Sequence, residues 1–143
     1  MSWLDDLKAE RERREQERKN EIRRALMAFY KRDAMVRQSL SEVGKYLWGG
    51  NILRKPYKVF RHKPINSTSC GWRLRNEATG GVHGSKDPRI SVDLRIDRPQ
   101  NYFVIRLSDN RGRAMIDSIP TANTSSEELQ KALREALSRL PQD

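Results

Sequence analysis

The sequence predicts an α+β fold: a long N-terminal helix, an antiparallel sheet of about five strands joined as a meander, and a C-terminal amphipathic helix. Three observations predict it. Residues 2–48 contain no Pro and only one Gly, Gly44, and over residues 22–47 they repeat apolar side chains at helical spacing. From residue 53 onward the apolar period changes to two, which is the period of a strand. Near the C-terminus a capping signal precedes a short run in which leucines recur every three or four residues. The boundaries expected are an arm over residues 1–21 and a single α+β domain over residues 22–143, with a helix at 22–48, strands within 53–119 and a helix at 125–140.

The first helix has two regimes. Ser2 is placed to cap it, Asp5 and Asp6 suit the positive end of its dipole, and Gly49 and Gly50 provide a stop. Residues 8–21 are polar on every side, with opposite charges four apart at Glu10 and Arg14, Arg11 and Glu15, Arg13 and Glu17, and Glu15 and Lys19. Each such pair adds about 0.2–0.5 kcal/mol to a solvated helix, so the segment can be helical with nothing to bury. It is expected to project as an arm. Its tip carries Trp3, Leu4 and Leu7, an apolar cluster suited to docking a partner protein.

Residues 22–47 follow a heptad seam of Ile22, Leu26, Phe29, Asp33, Val36, Leu40, Val43 and Leu47. Flanking Met27, Tyr30, Met35 and Trp48 widen the apolar face, which favours packing on a sheet, with self-pairing of helix 22–48 into a homo-oligomer as the alternative. Asp33 interrupts the stripe. Burying a carboxylate is costly unless it is paired. Of two accounts, a bend near residues 31–33 that lets Asp33 cap a second helix is preferred over an ion pair with an arginine of the sheet.

Strand signals follow at residues 57–62, where the alternation is ambiguous, and at 70–76, with Cys70, Trp72 and Leu74 on one face. Residues 89–96 alternate most clearly, placing Ile90, Val92, Leu94 and Ile96 inward. Residues 102–107 and 113–119 complete the set. The short turns at 97–101 and 109–112 require antiparallel hairpins. Thr124-Ser-Ser-Glu127 matches a capping box for a helix carrying Leu129, Leu133, Ala136, Leu137 and Leu140.

Charge points to the function. The chain has 29 basic and 19 acidic residues, net +10. Residues 1–48 carry 12 basic and 9 acidic side chains, residues 49–123 carry 14 and 6, and residues 124–143 carry 3 and 4. The uncompensated charge is therefore in the strand region and not in the arginine-rich arm. Alternation sends Arg73, Arg75, Arg89, Arg95 and Arg106 to the outer side of the sheet, with Lys58, Phe60, His62 and Tyr102 as neighbours. Guanidinium groups interleaved with aromatics on an open sheet suit RNA or single-stranded DNA, by phosphate pairing and base stacking. The glycine-rich loop at 78–88 places Lys86 toward the same polyanion. Its Gly-Ser-Lys order is not that of a phosphate-binding P-loop, and a mobile hairpin loop is the expectation.

Enzymatic signals are weak. Cys70, His62 and His83 have no metal-binding spacing, and Cys70 reads as a small core residue. Asp93 and Asp97 share a strand face and could hold Mg²⁺ in a nuclease, but arginines stand where such a site wants a further carboxylate and a lysine. The expectation is a non-catalytic accessory protein that binds nucleic acid and uses no cofactor and no metal. The rival is an assembly adaptor whose arginines meet acidic protein surface. A lone cysteine, no apolar run of membrane-spanning length and no secretion-like leader predict a cytoplasmic protein with no membrane partner. Asn66-Ser-Thr68 and Asn123-Thr-Ser125 fit the glycosylation pattern without other signs of secretion.

Overall fold

A computed structural model of the protein describes residues 2–50, 55–77, 87–96, 100–109 and 111–140. The chain runs α1 (Trp3–Trp48), β1 (Tyr57–His62), β2 (Cys70–Asn76), β3 (Arg89–Arg95), β4 (Tyr102–Ser108), β5 (Ile119–Pro120) and α2 (Ser126–Ser138). The five strands form one antiparallel sheet in the order β1-β2-β3-β4-β5, a meander. α1 packs against β1 and β2, and α2 against β4 and β5. The core lies between this helical layer and one face of the sheet: Phe29, Val36, Leu40 and Val43 of α1 meet Trp72, Leu74, Ile90, Val92, Leu94, Phe103, Ile105 and Leu107, with Leu129, Leu133 and Ala136 from α2.

α1 is a single helix of 46 residues, about 69 Å at 1.5 Å per residue. Ser2 Oγ accepts from the Asp5 N–H at 3.3 Å and caps its start. Gly49, at φ 70°, ends it by returning its N–H to the Lys45 carbonyl at 2.8 Å. The side chains of residues 11–19 are all exposed, with i,i+4 pairs such as Arg14 to Glu10 at 2.6 Å. Arg18 donates to the Asn66 carbonyl at 2.8 Å, where the helix leaves the body. The apolar stripe, by contrast, is consumed by the protein's own sheet, and Gly44 lets it sit close. A Cβ there would lie 2.6 Å from the Tyr57 ring.

Asp33 corrects the preferred sequence reading. The helix does not break, and Asp33 is buried at 7% exposure. Its Oδ1 accepts from Trp72 Nε1 at 2.8 Å, and its Oδ2 meets Arg61 Nη1 at 3.0 Å and Arg37 Nε at 3.2 Å. The carboxylate is thus paired, as burial demands. Trp72, held by this bond, stacks on Phe29 with ring centroids 4.7 Å apart and planes at 8°, and meets Phe103 edge-on.

Two boundaries also differ from the sequence reading. Only Ile119 and Pro120 pair as β5, while Ala114 makes an isolated bridge to Ser108. Between them the chain turns at Asp109, whose Oδ1 accepts from the Arg111 and Arg113 N–H groups, and Gly112 takes φ 82°. The N-cap of α2 is Ser125 and not Thr124: Ser125 Oγ accepts from the Glu128 N–H at 3.3 Å, and Glu128 reaches back to the Ala122 N–H.

Cys70 lies buried on the inner face, its Sγ 3.9 Å from the Leu94 carbonyl. Burial, and then the nearby Asp93 charge, push its thiol up to about 11. Because the folded thiol holds its proton above the pH at which an unfolded one releases it, stability falls as pH rises from about 9 to about 11. Urea midpoints measured across that interval should drop more steeply in the wild type than in Cys70→Ala; parallel curves would contradict this placement.

Candidate nucleic-acid interface

Directly opposed residues of an antiparallel pair project from the same face of a sheet, so the register sorts every strand residue. One row across the outer face runs Phe60, Arg73, Ser91, Arg106. Lys58 stands opposite Arg75, Arg95 opposite Tyr102, and Arg89 opposite Ser108. Lys58, Arg73, Arg75, Arg89, Arg95 and Arg106 therefore share the face turned away from both helices. Lys86 lies outside the described residues, as do Asp97 and His83. Arg73 on β2 and Arg106 on β4 stand two strands apart, about 10 Å.

Some of this charge is used internally. Arg75 Nε meets Glu77 at 3.0 Å, and Arg106 Nε meets Asp93 at 3.5 Å. Asp93, the sequence candidate for a metal ligand, thus serves as the counter-ion of Arg106. No cluster of three or more His, Cys, Asp and Glu that could hold a metal lies among the described residues. Arg73, Arg89 and Arg95 make no ion pair among the described residues. Exposed pairs of the Arg75 and Arg106 kind are worth only about 0–1 kcal/mol, so a phosphate can compete for either guanidinium.

The aromatic side chains are interleaved as well. The Arg75 guanidinium lies 4.2 Å from the centroid of the Phe60 ring, and Lys58 Nζ lies 5.1 Å from it. This cationic flat patch borders an open depression of about 440 Å³ lined by Phe60, His62, Gly71, Arg73, Ser91 and Asp93, among others. Gly71, one of its lining residues, lets β2 lie close against β3 at this point. A Cβ there would fall 2.5 Å from the Val92 carbonyl oxygen, so the position cannot be filled without moving the strand. Sequence reasoning predicts neither the depression nor the stacked pair; a glycine in an otherwise alternating strand is the only local signal. The row of His62, Gly71, Asp93 and Val104 ends at Pro120, beside which Val104 is buried.

Trp3, Leu4 and Leu7 are exposed on the first two turns of α1, beyond the Arg18–Asn66 contact. They belong to a separate surface. No helix among the described residues is long and apolar enough to cross a membrane. Comparison with protein-family models, with curated proteins and with solved structures finds no match for the chain.

Proposed function

We propose that this protein is a non-catalytic accessory factor that binds RNA or single-stranded DNA across the outer face of its sheet, and that its N-terminal arm docks a protein partner. The observation that carries the reading is the gathering of six cations on one face, four of them with no carboxylate partner among the described residues, beside an open depression edged by Phe60. Phosphates would pair with Arg73, Arg89 and Arg95, releasing counter-ions. An unpaired base would stack on the flat patch of Phe60 and Arg75, an interaction worth about 1–3 kcal/mol per base. Arginine suits both tasks, since its planar guanidinium bonds phosphate in a fork and stacks on rings. A reducing cytoplasm is the compartment that agrees with a single buried thiol.

Fluorescence anisotropy with labelled single-stranded RNA and DNA, taken over a salt series, tests this. Affinity should fall with salt, and the Arg73→Glu, Arg95→Glu double variant should weaken binding at every sequence. It should also flatten the log–log salt slope by about 0.7 for each phosphate that is no longer neutralised. Binding that is absent at low salt, or unchanged in the double variant, would remove the proposal. Both substitutions lie on exposed side chains, so circular dichroism should be unaltered.

A further inference from the structure

A carboxylate is out of place on a surface that holds phosphates, yet the cationic face has one on its central strand. Asp93 lines the depression beside Phe60, in the row that also holds His62 and Gly71. Its side chain is one-third exposed, and its Oδ2 meets Arg106 Nε at 3.5 Å, longer than a tight charge-assisted bond. Oδ1 lies on the other side, toward β2, where it would be 3.0 Å from a Cβ built on Gly71. Among the described residues Oδ1 accepts no hydrogen bond, and Arg73, which lines the same depression, has no carboxylate partner. The depression thus offers an open acceptor and an open planar donor side by side, next to the flat patch of Phe60 and Arg75.

That pairing of groups selects what enters. A phosphate is repelled by the Asp93 carboxylate and goes to the flanking arginines. A base is neutral, and its N–H groups are the donors an ionised carboxylate takes. Uracil and thymine present one ring N–H between two carbonyl oxygens, which the carboxylate repels. Cytosine and adenine present an amino group beside a bare ring nitrogen. Guanine presents two adjacent donors, N1–H and the N2 amine, with O6 next to them as an acceptor for a guanidinium. Phe60 and Asp93 stand on β1 and β3, two strands or about 10 Å apart, so a ring resting against Phe60 reaches the carboxylate best if it is a purine. We infer that the depression is a subsite for one guanine base of a bound single strand, its N1–H and N2 amine donating to Asp93 and its O6 accepting from Arg73. This rests on the nucleic-acid reading and adds a base preference to it. Asp93 is then a specificity-determining residue as well as the counter-ion of Arg106.

The test is fluorescence anisotropy of the full chain with labelled oligouridine strands, either plain or carrying one central guanine, adenine, cytosine or hypoxanthine. The guanine strand should bind about tenfold more tightly than plain oligouridine. Hypoxanthine, which lacks the N2 amine, should lose most of that gain. Asp93→Asn keeps the shape of the side chain and should keep the wild-type circular dichroism, but it should abolish the guanine preference. The same variant should bind plain oligouridine at least as tightly as the wild type, because it removes a negative charge from the face and releases Arg106. If Asp93 were a counter-ion only, the variant would gain affinity for every strand alike and the preference would survive; that result overturns the subsite. Wild-type protein that binds guanine and plain strands equally overturns it too, and leaves the nucleic-acid reading standing. Absence of binding to every strand at low salt removes both. Guanosine monophosphate that displaces the guanine strand as well as the unlabelled strand does would also overturn it, in favour of a free-nucleotide site.

Discussion

Asp33→Ala is expected to lower the stability of the protein by about 3 kcal/mol, read as a fall in the urea midpoint with an unchanged slope. The loss has two sources. Trp72 Nε1, buried and bonded at 2.8 Å, is left without an acceptor, a cost of about 1–3 kcal/mol by itself. Arg61 and Arg37 lose the carboxylate that holds them against the body at 3.0 and 3.2 Å. Both arginines reach solvent, so their contribution is the smaller part. Asp33→Asn should be milder, because an amide oxygen can still accept from the indole. Asp33→Ala combined with Arg61→Met should recover part of the loss, since an apolar pair leaves no unmatched charge. A fall below about 1 kcal/mol for Asp33→Ala would mean that the indole finds another acceptor.

Phe29→Ala should cost about 3–5 kcal/mol, the range for removing a large aromatic from a packed core. Phe29 is fully buried and stacks face to face on Trp72, so its deletion leaves a void between helix and sheet and also frees the indole. The two effects meet at Trp72. The double variant Phe29→Ala, Asp33→Ala should therefore lose less than the two single variants added together, because the second change acts on an indole already released. Strict additivity in a double-mutant cycle would show that the two side chains hold Trp72 independently.

Much of this architecture is legible in residue spacing. The period of α1, the clean alternation of residues 89–95 and the short turns are local properties, and the structure keeps them. The fate of Asp33 is not legible in that way. Its partner Arg61 lies on a strand where Tyr57 and Val59 point one way and Phe60 the other, so alternation alone leaves the phase open. Pairing of Arg61 opposite Trp72 decides it, and pairing is a long-range fact. The cationic face divides in the same way. Which arginines share a face follows from parity within each strand. That Asp93 engages Arg106, or that Gly71 sits hard against the Val92 carbonyl, depends on cross-strand register. Spacing overstates the length of β5 because residues 113–119 look strand-like, yet after the Ser108–Ala114 bridge the chain bends at Met115 and Ile116 and rejoins β4 only at Ile119.

The rim formed by β1 has a consequence for how the protein behaves at high concentration. An outermost strand exposes a ladder of unused amide and carbonyl groups onto which a neighbouring molecule could add its own strand. Here that ladder is only six residues long, carries Lys58, and is bracketed by Lys55-Pro56 on one side and Lys63-Pro64 on the other. Proline offers no amide to extend the ladder, and like charges repel an identical strand laid alongside. Fibril-like growth through this border is therefore blocked by the same basic residues that give the molecule its positive surplus.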